Sequence, residues 1–555
     1  MVIPQVKVTG TTDLVLDGTK LKQVKTVTPK KTENFSRRLD YYREFKDGSS
    51  VADTSLIGDG YDSIWTAPTT APSDGEQYLT ARWRNQEPLL SVAAGGQEFD
   101  DLWIMPGSAK LSEDDYTLDV IHPGDGLAED YKGIDAVGKA AVVRWDSDDE
   151  DTADDQIRAA QAAGVKLLLF VNDLDGRLRE PIIKSSIEVA GLSRTEGDKL
   201  IASVDASTTG SLPLRAVSRP DTDYLYDLVR TWKGRIPANP VYAPTTGQLA
   251  RVETTFRNPT GREVYENRYD IHPWTTYQVG TNRLSTAGAH RTDYVSTDST
   301  FSWTEEGELQ SLSYSASGSV TYPAGSTTDV EWFGPVVRPR INGSVQPPVR
   351  TGDEVDVIIP SWGDSGGSHA NDVAFGSTGA QETSLYRGDT LLAKGGAGVS
   401  ATVPAKKGVY RLVHTATRTA TAAFPYSTDT RTEWTFTSAA PRNGDDSEQL
   451  PLVQLDYTLP TSDDGKAVAD ASLLVTPLHL QGGSNAALNT RKVELSYDDG
   501  ATWTTARLSG RGNGKVSLPL HAPASAQYLT LRVQAGDSRG NTVTQTVVRA
   551  AGIAG

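Results

Sequence analysis

The sequence predicts a mainly β, multidomain chain: Ig/fibronectin-like β-sandwiches with one α/β domain set among them. Three observations carry this. Thr, Ser, Val, Tyr and Trp are plentiful, and Gly, Pro, Asn and Asp cut the chain into short runs. Runs such as 79–83, 225–229 and 410–414 read as strands, and 79–83 alternates apolar and polar residues, the period-2 pattern of a sheet with one wet face. Their regular recurrence fits β-sandwiches. One stretch, 138–205, breaks the pattern and reads as strand, helix, strand, strand, helix.

Its elements follow in order. Residues 140–144, Ala-Ala-Val-Val-Arg, form an apolar run that fits a buried strand. Seven acidic residues in ten follow at 146–155. Acidic side chains are favoured beside a helix N-terminus by its dipole. The helix itself is expected over 156–163, with Ile157, Ala160 and Ala163 on one face and Gly164 just past its end. A second strand is expected at 166–172 and a third at 187–191. Ser193-Arg194-Thr195-Glu196 spells a capping box opening a second helix through Ile201.

A chain of 555 residues has room for roughly three to five domains of ordinary size. Punctuation places them at 1–105 (β-sandwich), 106–217 (α/β), 218–345 (β-sandwich), 346–444 (β-sandwich) and 445–555 (Ig-like β domain). The formal charge of −17 comes with no basic block. Nucleic-acid binding needs clustered Lys and Arg to displace counterions, and anionic membranes attract polybasic segments, so neither partner is expected. No apolar run reaches a membrane span. There is no cysteine, which excludes disulfides, thiol catalysis and cysteine-built zinc sites. The start, Met-Val-Ile-Pro, has neither the charge nor the apolar run of a signal peptide, so none is expected on this chain.

Several strings look like chemistry. Gly363-Asp364-Ser365-Gly366-Gly367 matches the surroundings of a serine nucleophile. Serine attacks only when an imidazole takes its proton and a carboxylate orients that imidazole. His290, in Thr-Ala-Gly-Ala-His, is a candidate base, but the 75 residues to Ser365 are too few for two six-stranded barrels, and no helical period follows the serine. A Gly-rich loop is the plainer reading. Arg387-Gly388-Asp389 spells an adhesion tripeptide but sits where a hairpin turn is expected. The segment 496–503, Ser-Tyr-Asp-Asp-Gly-Ala-Thr-Trp, matches a single Asp-box hairpin. His122, His272, His290, His369, His414, His479 and His521 form no ligand-spaced pair. No cofactor is expected. Calcium at the acid run is the alternative, although its spacing matches no EF-hand. Trp332 with Phe333, and Trp274 beside His272, read as core aromatics, with sugar or peptide stacking as the alternative.

The order of these pieces resembles a known arrangement. Gly138–Arg144, Ile157–Val165 and the next strand with Asn172-Asp173 resemble a protease-associated domain. The flanks carry Phe99-Asp100-Asp101-Leu102, His290-Arg291-Thr292-Asp293-Tyr294, 493–500 and 537–550. They are similar to the long C-terminal region of secreted actinobacterial subtilisin-like serine peptidases, over nearly the whole chain. That family carries Asp-Ser/Thr-Gly, His-Gly-Thr-His and Gly-Thr-Ser-Met-Ala segments in that order. The last two are absent, and Asp364-Ser365-Gly366 matches the first by letters alone, so no catalytic residue carries over. The resemblance implies a secreted, non-catalytic accessory region that binds or guides a polypeptide substrate or protein partner, with an upstream peptidase domain as an expected companion. A carbohydrate-binding or adhesive β-array and a serine hydrolase using Ser365 are the alternatives.

Overall fold

The computed structural model describes all residues except 1, 2, 7, 9, 12, 59, 60, 62, 179, 258–262, 276–278, 281, 282, 287–289, 311, 317, 365–368, 372–378, 444, 445, 469 and 555. Strand accounts for 48% of the chain and helix for 6%. The chain divides into two compact units: 1–252 with 291–298 and 322–327, and the remainder. No helix among the described residues is long and apolar enough to cross a membrane.

In the first unit the α/β domain forms as expected over 138–205. Strands Ala140–Arg144, Leu167–Val171 and Glu188–Leu192 lie side by side and parallel, joined in turn to Asp114–Ile121. Helix α1 (Glu150–Ala162) connects the first two of these strands, and α2 (Arg194–Asp205) follows the third. Both faces of the sheet are covered, so an unbroken apolar run is what each strand needs. Within it the two-residue period persists. Leu167, Leu169 and Val171 pack with Leu200 and Val204 of α2, while Leu168 and Phe170 pack with Ile157 and Ala160 of α1.

Three expectations change here. First, α1 starts at Glu150 rather than at 156. Asp149 caps it, accepting from Asp151 N at 3.2 Å and from the Thr152 hydroxyl at 2.9 Å, so most of the acid run is the helix's own opening. Gly164 closes it at φ 77°. Second, the sheet begins well before 106. Leu90–Ala94, Gln97–Phe99 and Leu102–Ile104 belong to it, the last antiparallel to Glu188–Leu192. These strands are three to five residues long, too short for a pattern to separate them from a β-sandwich. Third, segments 1–105 and 218–345 are not separate domains. Tyr224–Lys233 pairs antiparallel with Glu76–Gln86, from Leu225 opposite Gln86 to Lys233 opposite Tyr78. Glu33–Glu44 and Ser50–Ile57 extend the same sheet. The α/β domain is therefore inserted into a β-domain.

The wet-face reading also fails for this sheet, because residues 77–86 are all buried. The polar members turn inward. Arg82 grips the Asp227 carboxylate with two hydrogen bonds of 3.0 and 2.9 Å, and Arg84 approaches it at 3.6 Å. Alternation reports side-chain chemistry; pairing decides whether the polar half meets water.

In the second unit a long sheet runs, by strand, through Thr390–Gly395, Ala380–Arg387, Gly408–Thr417, Asp429–Ser438, Thr542–Ile553, Tyr528–Asp537 and Leu488–Ser496. Asp429–Thr435 pairs with Thr542–Val548, so the sheet is continuous across the boundary expected near 444. Two four-stranded sheets, one around Glu354–Ile358 and one around Ser472–His479, share its core of Val357, Leu412, Trp434, Val475, Leu531 and Val547. A five-stranded sheet contains Glu263–Ile271 and Ser302–Leu309.

Candidate binding cleft

The carboxyl ends of two parallel strands define a polar cavity of the α/β domain. Crevices in open parallel sheets form beyond the strand ends, where loops diverge. Leu167–Val171 leads into a turn at 172–177. There Asn172 accepts from Leu174 N at 3.0 Å and donates to Gly176 O at 2.9 Å, and Gly176 takes φ 93°. Glu188–Leu192 leads straight into α2. The antiparallel strand Leu102–Ile104 brings Asp100 and Asp101 alongside, with Ser193 N donating to Asp101 O at 3.3 Å. Together these segments line a cavity of about 450 Å³.

Its walls carry both signs of charge. Arg177 Nε donates to Asp101 Oδ1 at 2.5 Å. The Glu196 carboxylate accepts from Asp101 N at 3.0 Å. Burial, with Asp100 close by, pushes the Glu196 carboxyl above its ordinary range. The capping box expected at 193–196 does not form: Ser193 makes no side-chain cap, and its partner Glu196 is taken by Asp101. Arg194 and Lys199 also line the cleft.

The sequence-singled residues go elsewhere. Ser365 lies outside the described residues. Its chain neighbour Asp364 holds His369 Nδ1 at 2.8 Å, and the His369 ring stacks on Trp332 at 4.0 Å. His290 is engaged at both nitrogens, by Thr255 Oγ1 at 3.1 Å and Asp463 Oδ1 at 2.8 Å. His414 sits between Ser361 and Thr383, each 2.9 Å away, and burial pushes it down to about 4. That is a neutral imidazole with a hydroxyl on either side and no carboxylate to orient it, unlike the serine–histidine–acid arrangement.

The remaining motifs are structural. Gly388 turns the hairpin between Ala380–Arg387 and Thr390–Gly395 at φ 58°. Asp498 folds the Asp-box turn, accepting from Thr502 N at 2.9 Å and Thr502 Oγ1 at 2.6 Å. Trp332 is 1% exposed within a core cluster. Trp503 is covered by the Arg532 guanidinium, 4.2 Å from the ring. Among the described residues no cluster of three His, Asp or Glu could hold a metal ion.

Sequence reasoning named Ser193 and Glu196 only as a cap, and Asp100 and Asp101 only as part of a resemblance. Arg177 went unnoticed. The usable signal was positional: each lies in a loop at the carboxyl end of an apolar run, or beside one.

No protein-family model and no curated protein matches this sequence. Partial structural neighbours are aminopeptidases and a subtilisin-like protease. An aminopeptidase from Aneurinibacillus sp. strain AM-1 aligns at 20% identity over 29% of this chain and 36% of its own, with a TM-score of 0.21. The zinc aminopeptidase BSAP from Bacillus subtilis aligns at 18% over 32% and 40%, with a TM-score of 0.20. The subtilisin-like protease Apa1 from the Antarctic psychrotroph Pseudoalteromonas sp. AS-11 aligns at 13% over 27% and 38%, with a TM-score of 0.17. The chain thus spans well under half the length of these enzymes, and likenesses of this strength assign no activity.

Proposed function

We propose that this chain is a non-catalytic accessory region of a secreted subtilisin-like serine protease, and that its α/β domain binds polypeptides at the cleft beyond Val171 and Leu192. The observation that carries this reading is the cleft itself: an open polar cavity of about 450 Å³ lined by Asp100, Asp101 and Glu196 together with Arg177, Arg194 and Lys199. A polypeptide offers amide dipoles and charges of both signs, which such a wall can match. The order of sequence pieces around the domain supports the protease connection.

The test is binding of a fluorescently labelled, carboxymethylated unfolded polypeptide to the full chain by anisotropy. Arg177→Glu should weaken binding at least tenfold, while Arg158→Glu, on the exposed side of α1, should not. Equal effects of both would overturn the reading.

A second reading is favoured by one observation. Asp364 fixes His369 through Nδ1 next to Ser365 in the chain, the acid–imidazole half of a nucleophilic site. A fluorophosphonate probe decides between the two. Labelling that vanishes on Ser365→Ala would make the chain an enzyme; no labelling leaves the accessory reading standing.

A further inference from the structure

We propose that this chain pairs with a second copy of itself along the strand Ser50–Ile57, antiparallel, with Thr54 opposite its own counterpart on a twofold axis. The inference stands apart from the cleft and from the accessory reading.

The argument begins with an edge. Ser50–Ile57 pairs with Glu33–Glu44 on one side and ends the seven-stranded sheet on the other. Its eight residues make it the longest strand at a sheet end among the described residues. An edge strand presents a row of backbone N–H and C=O groups to its open side, and proteins blunt such rows with Lys, Pro, bulges or a covering segment. This strand has no Lys and no Pro, Asp53 is its one charge, and its ladder with Glu33–Glu44 runs from Ser50 to Ile57 without a bulge. Val51 is 53% exposed and Leu56 is 60% exposed, two large apolar side chains on opposite faces of the strand.

The strand's own sequence names the occupant. In an antiparallel pair about a twofold axis normal to the sheet, opposed residues lie on the same face, so they are an even number of positions apart in sequence. Centring the pair on Thr54 sets every apolar side chain of the strand against another: Val51 faces Ile57 and Ala52 faces Leu56, each twice by symmetry. The same register sets Asp53 against Ser55. Centring on Asp53 would put two carboxylates directly opposite each other, which is destabilising. Centring on Ser55 would leave Val51 past the end of the paired segment and set Leu56 against Thr54.

The core supplies a second reason. Ile57 is half-buried and packs, with Leu39, against the cluster of Val24, Ile64, Trp83 and Leu228. The Val51 of a copy, opposed to Ile57, continues that apolar layer past the sheet edge and itself leaves water. A peptide of arbitrary sequence offers the edge its backbone alone; a second copy also brings apolar side chains to the matching places.

Sedimentation equilibrium of the full chain should show a monomer–dimer equilibrium with a Kd on the order of 10 μM, the weak affinity of a small interface. Val51→Lys and Leu56→Lys, both at exposed positions, should each raise the Kd at least tenfold and leave the thermal melt of the monomer unchanged. The chain has no cysteine, so an introduced thiol reports the register directly. Under mild oxidation Thr54→Cys should form a covalent dimer at least tenfold faster than Asp53→Cys or Ser55→Cys. A monomer at every concentration would overturn the inference. So would a dimer that both lysine variants leave intact, or crosslinking at equal rates from all three positions. Binding of an unfolded polypeptide to a monomeric chain, lost on Leu56→Lys, would give the edge to a peptide strand and overturn the pairing of copies.

Discussion

Glu188 shows how much one residue can hold in tension. It opens a parallel strand, is 0% exposed, and accepts from Leu111 N at 2.6 Å. Its other oxygen, Oε1, has no partner among the described residues. Lys110 is the charged group that faces it, and it does not offset burial, which pushes the carboxyl up to about 7. The sign follows. The folded pKa is raised above the unfolded value of 4.5, so the unfolded chain gives up its proton first as pH rises. Stability is full below about pH 4.5, falls through the window from there to 7, and levels off above it. Glu188→Gln keeps an acceptor for Leu111 N and removes the charge. We expect it to be more stable than wild type by about 3 kcal/mol at pH 8 and little changed at pH 4.5. Urea melts at the two pH values check this; parallel shifts at both would refute it.

At the scale of elements, α2 illustrates why a helix cannot be judged alone. Gly197 lies within it, and replacing glycine by alanine in an exposed helix gains about 1 kcal/mol. Here an added Cβ would lie 2.4 Å from both Val171 methyl carbons, since the helix rides directly on the strand. Gly197→Ala is expected to destabilise by about 1–3 kcal/mol. The pair Gly197→Ala/Val171→Ala should cost less in thermal melts than the two single losses added together, and a purely additive outcome would argue against the contact. The α/β domain as an element group has its own test. A fragment covering 88–220 contains all eight strands of the sheet and should unfold cooperatively. One covering 106–217, the limits read from punctuation, lacks three of them and should not.

Across the whole first unit, the decisive interaction joins residues 145 apart in sequence. Asp227 meets Arg82 and Arg84 on neighbouring strands that lie on either side of the inserted domain. Removing the carboxylate takes a buried charge partner from both guanidinium groups. Asp227→Ala should cost about 3–5 kcal/mol, far more than an exposed ion pair would. An effect below about 1 kcal/mol by chemical denaturation would show that solvent reaches the pair.

Some of this protein was written locally. The unbroken run Leu167–Val171 is a strand covered on both faces because every second side chain feeds a different helix, and no polar residue interrupts either set. Gly164, Gly388 and Asp498 mark turns whose backbone angles or short-range hydrogen bonds are set within a few residues. Patterns of that reach are legible without a fold. The insertion was not, because strand pairing between 76–86 and 224–233 leaves no trace in either segment taken alone. Nor was the cleft: Ser193 and Glu196 spell a cap, and only the arrival of Asp101 on an antiparallel strand draws Glu196 away and leaves the helix end open. Local sequence proposes hydrogen bonds, and the tertiary fold awards them to whichever partner it brings nearest.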